Sequence, residues 1–272
     1  MSHITFSVSH INDLYAWKIA YPHIIKNSGA EKFVVVVPNR QYRAYRRNTS
    51  SIYEIISEAD FFPCLSKREL ATKLLPIHAR RAGWYYQQFL KLKAFEYFNT
   101  EDRLTLIEGD SFPTASFEVT RWPIYMMAEE FHAPYFATLK NLLGIERTAQ
   151  KSFISQIFPI TVEQGRHFLE EVSKSHGCVW YEAIIRNLDP SHTLAFSEYE
   201  SLGNFLLHHD YDVQFSNKKF LRQGGLYLSS IKNRDERYEK LILEYALIAI
   251  EKADTSSFFK RLSRKLIRLI YG

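Results

Sequence analysis

Glu108 and Asp110, with Gly109 between them, follow the apolar run Leu104-Thr105-Leu106-Ile107. Leu104, Leu106 and Ile107 call for a core, so the two carboxylates stand at the end of a buried strand rather than on a solvated loop. In an open α/β sheet, ligands bind in the crevice outside the carboxyl ends of the strands. Two hard oxygen donors in that position suit Mg²⁺ or Mn²⁺, and such an ion bridges the phosphates of a nucleotide. When a sugar leaves a nucleotide, charge develops on the departing diphosphate, and a divalent ion there stabilises it. A third ligand in such a site comes from a distant His or acid; His208, His209 and Asp210 are candidates, His208 first. Asp110, Glu108 and His208 are thus the expected metal ligands, with Asp110 also at the centre of the chemistry.

The neighbouring elements must position this pair. Trp84 to Phe98 reads as a helix in which Tyr85, Phe89 and Leu92 recur at i, i+4 and i+7 and supply a core stripe. Gln87, Gln88 and Lys91 fall on another side; two amides and an ammonium so grouped suit a polyol or a phosphate, or simply face solvent. Upstream, Ile4 to Ser9 alternates as a strand, His10 to Asp13 is a turn, and Leu14 to Ile25 is a helix. Lys32 to Val37 is a continuous β-branched run stopped by Pro38, the pattern of a strand buried on both faces. Strand, helix, buried strand is a βαβ opening and points to a parallel sheet.

Further along, Tyr53 to Ile56 reads as a short helix and Asp60 to Leu65 as a short strand. Ser66 and Glu69 form a capping box before a helix through Leu75, and Thr161 and Gln164 form another before a helix through Ser173. Ser116 to Val119, Ile124 to Met127 and Phe153 to Ile160 read as strands. Pro134 suits the first turn of a helix that runs to Gly144. Val179 to Leu188 is a helix carrying Glu182. Ser197 caps a helix through Leu207, with Glu198 in its first turn favouring the dipole. Arg234 to Glu251 reads as a long amphipathic helix. The arginines Arg40, Arg43, Arg46 and Arg47 cluster on a solvated helix face or a phosphate contact.

Composition bounds the classes. The 272 residues are 46 % hydrophobic and 24 % charged, an ordinary folded chain of one large or two small domains. Aromatics make up 15 %, enough for a stacking surface or a tyrosine-rich core. The net charge of +5 equals the contribution of Lys260, Arg261, Arg264, Lys265 and Arg268 in a tail without acids. A nucleic-acid footprint is therefore not expected, because the basic excess is terminal and not a stripe across a domain. Cys64 and Cys178 lack any CxxC or zinc spacing and read as reduced core residues of a cytosolic protein. No signal peptide and no window long enough to span a bilayer is visible, so a cytoplasmic, soluble or peripheral protein is expected. In the tail, Phe258, Leu262, Leu266 and Ile270 share one helical face among those five cations. A basic amphipathic helix of this kind suits the surface of an anionic membrane, at about 1 kcal/mol per cation.

The ordered set GWYYQQFLKL, EGDSF, HAPYFATLKNLLG, WYEAII and FSEYESLGNF, spread over roughly Ile4 to Asp210, resembles a bacterial glycosyltransferase-like family of cell-surface polysaccharide enzymes. The resemblance implies a GT-A type α/β fold: a mostly parallel sheet flanked by helices, with a Rossmann-like nucleotide-binding half, over residues 1–254, with residues 255–272 as the basic tail. It implies a nucleotide-sugar donor and a metal-binding acid-x-acid, which fall on Glu108 and Asp110. The usual first acid is Asp, so Asp110 is the firmer ligand, and Glu108 can instead contact the nucleotide ribose. In such a fold His10 and Asp13 lie where the base and ribose of the donor would sit. Gln87, Gln88, Lys91 and Tyr135 complete the expected donor and substrate contacts. For the base that deprotonates an acceptor hydroxyl, Glu198 comes first, with Glu182, Glu130 and His132 behind it.

The leading reading is a glycosyltransferase that moves a sugar onto a lipopolysaccharide, capsule or other lipid-linked glycan acceptor at the inner face of the cytoplasmic membrane. The alternatives are a catalytically silent nucleotide- or glycan-binding protein and a metal-dependent nucleotidyl or phosphoryl transferase. The absence of a P-loop or kinase loop weighs against the last.

Overall fold

The run Lys32-Phe33-Val34-Val35-Val36-Val37 can be apolar throughout because helices cover both faces of the sheet it joins. The computed structural model describes residues 1–114 and 124–251. In chain order, β1 (His3–Val8), α1 (Leu14–Asn27), β2 (Lys32–Val37), α2 (Tyr42–Asn48) and β3 (Tyr53–Ser57) open the fold. Three short helices, α3 (Glu58–Phe61), α4 (Lys67–Lys73) and α5 (Pro76–Ala79), lead to the long α6 (Ala82–Tyr97) and then to β4 (Arg103–Ile107). Next come β5 (Ser111–Pro113), β6 (Ile124–Met126), α7 (Ala133–Leu143) and β7 (Ile157–Thr161). Helices α8 (Val162–His176), α9 (Trp180–Asn187) and α10 (Glu198–His208) follow. The described chain closes with β8 (Gln214–Ser216), β9 (Phe220–Leu221), α11 (Leu228–Asn233), α12 (Glu236–Glu244) and β10 (Leu247–Ala249).

The central sheet runs β3-β2-β1-β4-β7. Strands β1 to β4 are mutually parallel, and β7 closes the edge antiparallel to β4. Alternate residues feed two cores. Phe6, Val34, Val36, Leu104 and Leu106 pack with α6, α8, α9 and α10 on one face. Val35, Val37 and Ile107 pack with α1, α11, α12 and β10 on the other. The architecture expected from the βαβ opening, a mostly parallel sheet flanked by helices, is the one observed.

Several local expectations are corrected. Tyr53–Ser57 is strand β3, paired to β2 in the register Phe33↔Tyr53, and not a helix. The expected strand over 60–65 is instead the end of α3 and a loop, because Ser57 caps a helix by accepting from the Asp60 amide. Strand β7 starts only at Ile157, since Gln156 has φ 68 and breaks the extended run that Phe153 would begin. The amphipathic pattern over 234–251 splits. Asp235 caps α12, which ends at Glu244, and Leu247, Ile248 and Ala249 are wholly buried in β10. Cys64 is exposed and not a core residue. The expected strand over 116–119 and the basic tail over 255–272 lie outside the described residues. Both capping boxes, at Ser66–Glu69 and Thr161–Gln164, are present, and Gly144 ends α7 with φ 69.

Helices α6 and α8 approach closely enough that a Cβ on Gly165 would fall 2.2 Å from the Phe95 ring. Alanine gains about 1 kcal/mol over glycine in a helix, but the overlap outweighs it. We expect Gly165→Ala to destabilise the fold by about 1–3 kcal/mol. A urea midpoint equal to that of the wild type would contradict this close packing.

Candidate functional site

Strand β1 sends the chain to β2 on one side, while β4 joins its other side. The switch point therefore lies between the carboxyl ends of β1 and β4, where a ligand crevice is expected. Glu108-Gly109-Asp110 turns out of β4 at this place, with the Ser111 amide donating to the Glu108 carbonyl at 3.0 Å. Gly109 lies against the end of β1: a Cβ there would sit 2.7 Å from Ser9 Oγ and 2.8 Å from Ser9 Cβ. The spacer between the acids is thus glycine for want of room. Strand β10 fixes the other side of the turn, with the Ile250 amide donating to the Asp110 carbonyl at 2.8 Å. That contact brings Glu251 to the same corner.

The two acids have different surroundings. Glu108 accepts from Lys91 at Oε1 and from Gln87 Nε2 at Oε2, the latter at 2.7 Å. Lys91 also donates to Glu198 Oε1 at 2.7 Å and lies 4.5 Å from the centre of the Tyr199 ring. The Lys91 side chain is only 3 % exposed and that of Glu198 5 %. Burial alone would strip the lysine proton, but Glu108 and Glu198 more than offset it and hold the ammonium well above the ordinary lysine range. Burial raises the Glu198 carboxyl, with Lys91 opposing and Glu108 adding to the shift. Gln88 accepts the Glu198 amide at 3.0 Å and so fixes the start of α10. Gln88 and Lys91 are therefore buried ties between α6 and α10, not solvated helix residues.

Among the described residues, Asp110 has no such cation. Burial, then the charges of Glu108, Asp13 and Glu251, push its carboxyl up to about 8, against a weak contact from Ser111 Oγ at 3.3 Å. The cavity here has a volume of about 300 Å³. It is lined by six carboxylates, Asp13, Glu108, Asp110, Glu130, Glu198 and Glu251, against two cations, Lys91 and Arg222, a formal charge of −4. Arg222 pairs with Glu130 and with Glu251, the latter at 2.5 Å. Trp84 and Tyr135 stack at 6.1 Å between ring centres and give the cavity an aromatic wall. Burial pushes the Tyr135 phenol to about 12.

A divalent cation fits this charge and these hard oxygen donors. Asp110 would hold it, because the oxygens of Glu108 are already engaged. Among the described residues, the one close grouping of three ligand side chains lies elsewhere, at His167, Glu171 and His209. An ion at Asp110 would thus take most of its ligands from water and phosphate, as Mg²⁺ commonly does. A second cavity of about 500 Å³ shares Val8, Ser9, Asp13, Trp84 and Gln87 with the first. It continues past His10, Pro38 and Glu58, along the ends of β1, β2 and β3.

Of the residues expected from sequence, Asp13, Gln87, Gln88, Lys91, Glu108, Asp110, Tyr135 and Glu198 line the first cavity, and His10 lines the second. Glu182 lies outside both. It pairs with Lys73 at 3.3 Å and Arg186 at 3.0 Å, because α9 turns that face outward. His208 also lies outside, packed 5.2 Å from the His209 ring at the far end of α10. His132 Nε2 donates to the Leu194 carbonyl at 2.8 Å, in the segment that leads into α10. Glu130, by contrast, lines the cavity. Arg222 and Glu251 were not foreseen. The pair Gly224-Gly225 beyond Arg222 is the signal available in sequence, since a Cβ on Gly224 would meet Ile248 at 2.5 Å and the Ala249 carbonyl at 2.7 Å.

Fold and site define an α/β protein with an acidic strand-end cleft. The chain belongs to a family of unknown function, DUF6492, whose family model matches residues 19–213. No curated protein matches it. A solved galactosyltransferase, LgtC, in complex with donor and acceptor sugar analogues, is similar over 91 % of this chain and 86 % of its own. The identity is 13 % and the TM-score 0.49. Mouse xyloside xylosyltransferase 1 in its apo form is similar over 92 % of this chain and 97 % of its own, at 14 % identity and a TM-score of 0.46. Both scores fall below 0.5, and neither likeness bears on what this chain does.

Two outcomes test the site. In the unfolded chain the Asp110 carboxyl titrates near 3.8, and in the folded chain near 8. Between these values the folded state keeps a proton that the unfolded state has lost. Stability therefore falls as pH rises through this window, and the penalty is complete above it. Asp110→Asn removes the penalty. Without divalent ions it should be close to wild type at about pH 4, but more stable by on the order of 5 kcal/mol at about pH 8. Denaturant titrations at both pH values check this, and equal stability at the higher pH contradicts it. Lys91→Met leaves Glu108 and Glu198 without their cation and should cost about 3–5 kcal/mol. Adding Glu198→Gln should recover part of that loss in a double-mutant cycle.

Proposed function

We propose that the chain is a glycosyltransferase that moves a sugar from a nucleotide-sugar donor to a glycan acceptor. The observation that carries this reading is the Asp110 carboxyl, set at the switch point of a parallel sheet in a cleft where acids outnumber cations six to two. Such a corner binds a diphosphate only with a cation between the two. The ordered sequence motifs that resemble GT-A type enzymes supply the choice of sugar transfer over other phosphate chemistry.

In this reading, the cavity along the ends of β1, β2 and β3 takes the nucleoside, with His10 and Asp13 at its mouth. The diphosphate lies towards Asp110, and Arg222 lines the same cavity. The sugar sits against Trp84 and Tyr135, whose stacked rings offer an apolar face. Mn²⁺ or Mg²⁺ at Asp110 would supply the electrostatic stabilisation of the leaving diphosphate. Glu198 and Glu130 are the carboxylates placed to take a proton from an acceptor hydroxyl. Glu198 has the raised affinity for a proton that a base requires, and its Oε1 is already bonded to Lys91. An acceptor of the lipopolysaccharide or capsule type, and attachment at the inner membrane face through the basic tail, rest on the sequence alone. The described residues include no helix long and apolar enough to cross a membrane.

One observation favours a second reading, a nucleotide-binding protein without turnover. Both oxygens of Glu108 are engaged by Lys91 and Gln87, which leaves the acid-x-acid pair with one available member.

A thermal-shift screen of nucleoside diphosphates with and without Mn²⁺, followed by transfer from the matching labelled nucleotide sugar, separates the two. We expect stabilisation by a diphosphate only when the ion is present, and sugar release with wild type. Asp110→Ala should abolish transfer while its circular dichroism stays native. Full transfer by a well-folded Asp110→Ala protein would overturn the proposal, and ion-dependent binding without sugar release would favour the second reading.

A further inference from the structure

Away from the cleft, α8 carries His167 and Glu171 four residues apart on one face, which places their side chains side by side. His209, just beyond α10, reaches the same point. His167 Nε2 lies 3.0 Å from Glu171 Oε1, and His209 Nε2 lies 3.4 Å from Glu171 Oε2. One ligand atom from each of the three falls within 4.8 Å of the others. Tetrahedral Zn²⁺ with bonds of about 2.1 Å holds its donors about 3.4 Å apart, so little movement would close the set.

A second observation points to a missing ligand. His209 Nε2 is buried yet makes no hydrogen bond, because Glu171 Oε2 approaches without the geometry for one. A buried imidazole nitrogen left unsatisfied costs about 1–3 kcal/mol. The other ring is already oriented: His167 Nδ1 lies 2.8 Å from Tyr211 Oη, and Nε2 is turned to the cluster. Zinc-bound histidines are held in this way, through the nitrogen that does not touch the metal. The Phe205 ring packs against both imidazoles, 5.1 Å from His167 and 4.3 Å from His209, and limits their rotation.

We propose that His167, Glu171 and His209 form a zinc site that fastens the end of α10 to α8. Two imidazoles and one carboxylate select Zn²⁺ over Mg²⁺ or Ca²⁺, which prefer all-oxygen sets. The fourth position is left for water. The three residues line none of the described cavities, so the ion serves as a structural clamp and not as a second reaction centre. Helix α8 is a firm anchor, since Arg166 donates to the Phe95 and Phe98 carbonyls at 2.7 Å each. Helix α10 has Glu198 at its other end, in the cleft. Zinc would thus hold in place the helix that presents Glu198 to Lys91, whatever reaction the cleft performs.

The test uses the full chain, stripped of metal and supplied with excess Mg²⁺ to occupy the Asp110 corner. Titration with ZnCl₂ against a chromophoric chelator should show one equivalent bound at micromolar affinity or tighter, with a rise in Tm. His209→Gln and Glu171→Gln should each weaken binding more than about tenfold and lose the Tm rise. His208→Gln, beside the cluster but outside it, should bind as wild type. In case a variant folds poorly, Co²⁺ added to the wild type should give tetrahedral d–d absorption without a thiolate charge-transfer band. No stoichiometric Zn²⁺ bound by folded wild type, undiminished binding by His209→Gln, or a thiolate band would each overturn the proposal.

Discussion

The buried ammonium of Lys91 is the constraint on which the rest of the site depends. It joins α6 to the end of β4 through Glu108, and α6 to the start of α10 through Glu198. Placing one cation and two carboxylates where side chains are almost wholly buried is costly unless every partner is present. The arrangement therefore works as a register device: α6, β4 and α10 have one relative placement in which all three charges are paired. Gln87 and Gln88 extend it by one hydrogen bond each, to Glu108 and to the Glu198 amide. The organisation of the cleft is thus set by a polar triad and only supported by the apolar packing beneath it.

Asp110 is fixed by different means. Among the described residues no side-chain cation pairs with it, and the backbone places it. Gly109 lies so near Ser9 that a larger residue would push the turn away from β1, and the Ile250 amide holds the Asp110 carbonyl from the opposite side. Chain regions far apart in sequence, the end of β1, the end of β4 and β10, meet at one carboxylate. Two acids a single residue apart therefore differ in kind: Glu108 is neutralised and structural, and Asp110 is uncompensated and available. The extra methylene of Glu108 fits this division, because it gives the longer reach needed to meet Lys91.

Much of this was legible in sequence, for identifiable reasons. The βαβ opening, the buried β2 and the acid pair at the end of β4 are carried by local patterns, in which apolar runs and their terminators lie within a few residues. The capping boxes at Ser66 and Thr161 are local too. The failures came where distant contacts decide. Tyr53 to Ser57 is short enough to fit either element, and β2 decides for a strand by offering an edge to Tyr53, Ile55 and Ile56, which favour strands. The stretch 245–250 continues the helical period of α12 but is taken by β5 and β9 into a sheet. Gln88 and Lys91 read equally as a ligand-binding group or a solvated helix face, since nothing local shows that Glu198, 107 positions beyond Lys91, comes back to cover them. His209 and not His208 faces α8, a distinction of one residue that depends on how α10 ends.

The charge balance of the cleft also orders its chemistry. With six carboxylates and two cations around about 300 Å³, an approaching diphosphate meets repulsion before it meets any contact. Lys91 cannot relieve this, because Glu108 and Glu198 hold it on both sides. Arg222 is likewise shared between Glu130 and Glu251. The surplus sits at Asp110, whose carboxyl keeps its proton up to about pH 8 when nothing else neutralises it. A divalent ion held there would compete with that proton for the same oxygens. Such an ion would supply the positive charge that Lys91 and Arg222, already paired, do not offer. In the proposed reading, a cleft built from such a surplus would disfavour free phosphates and favour those that arrive with their cation.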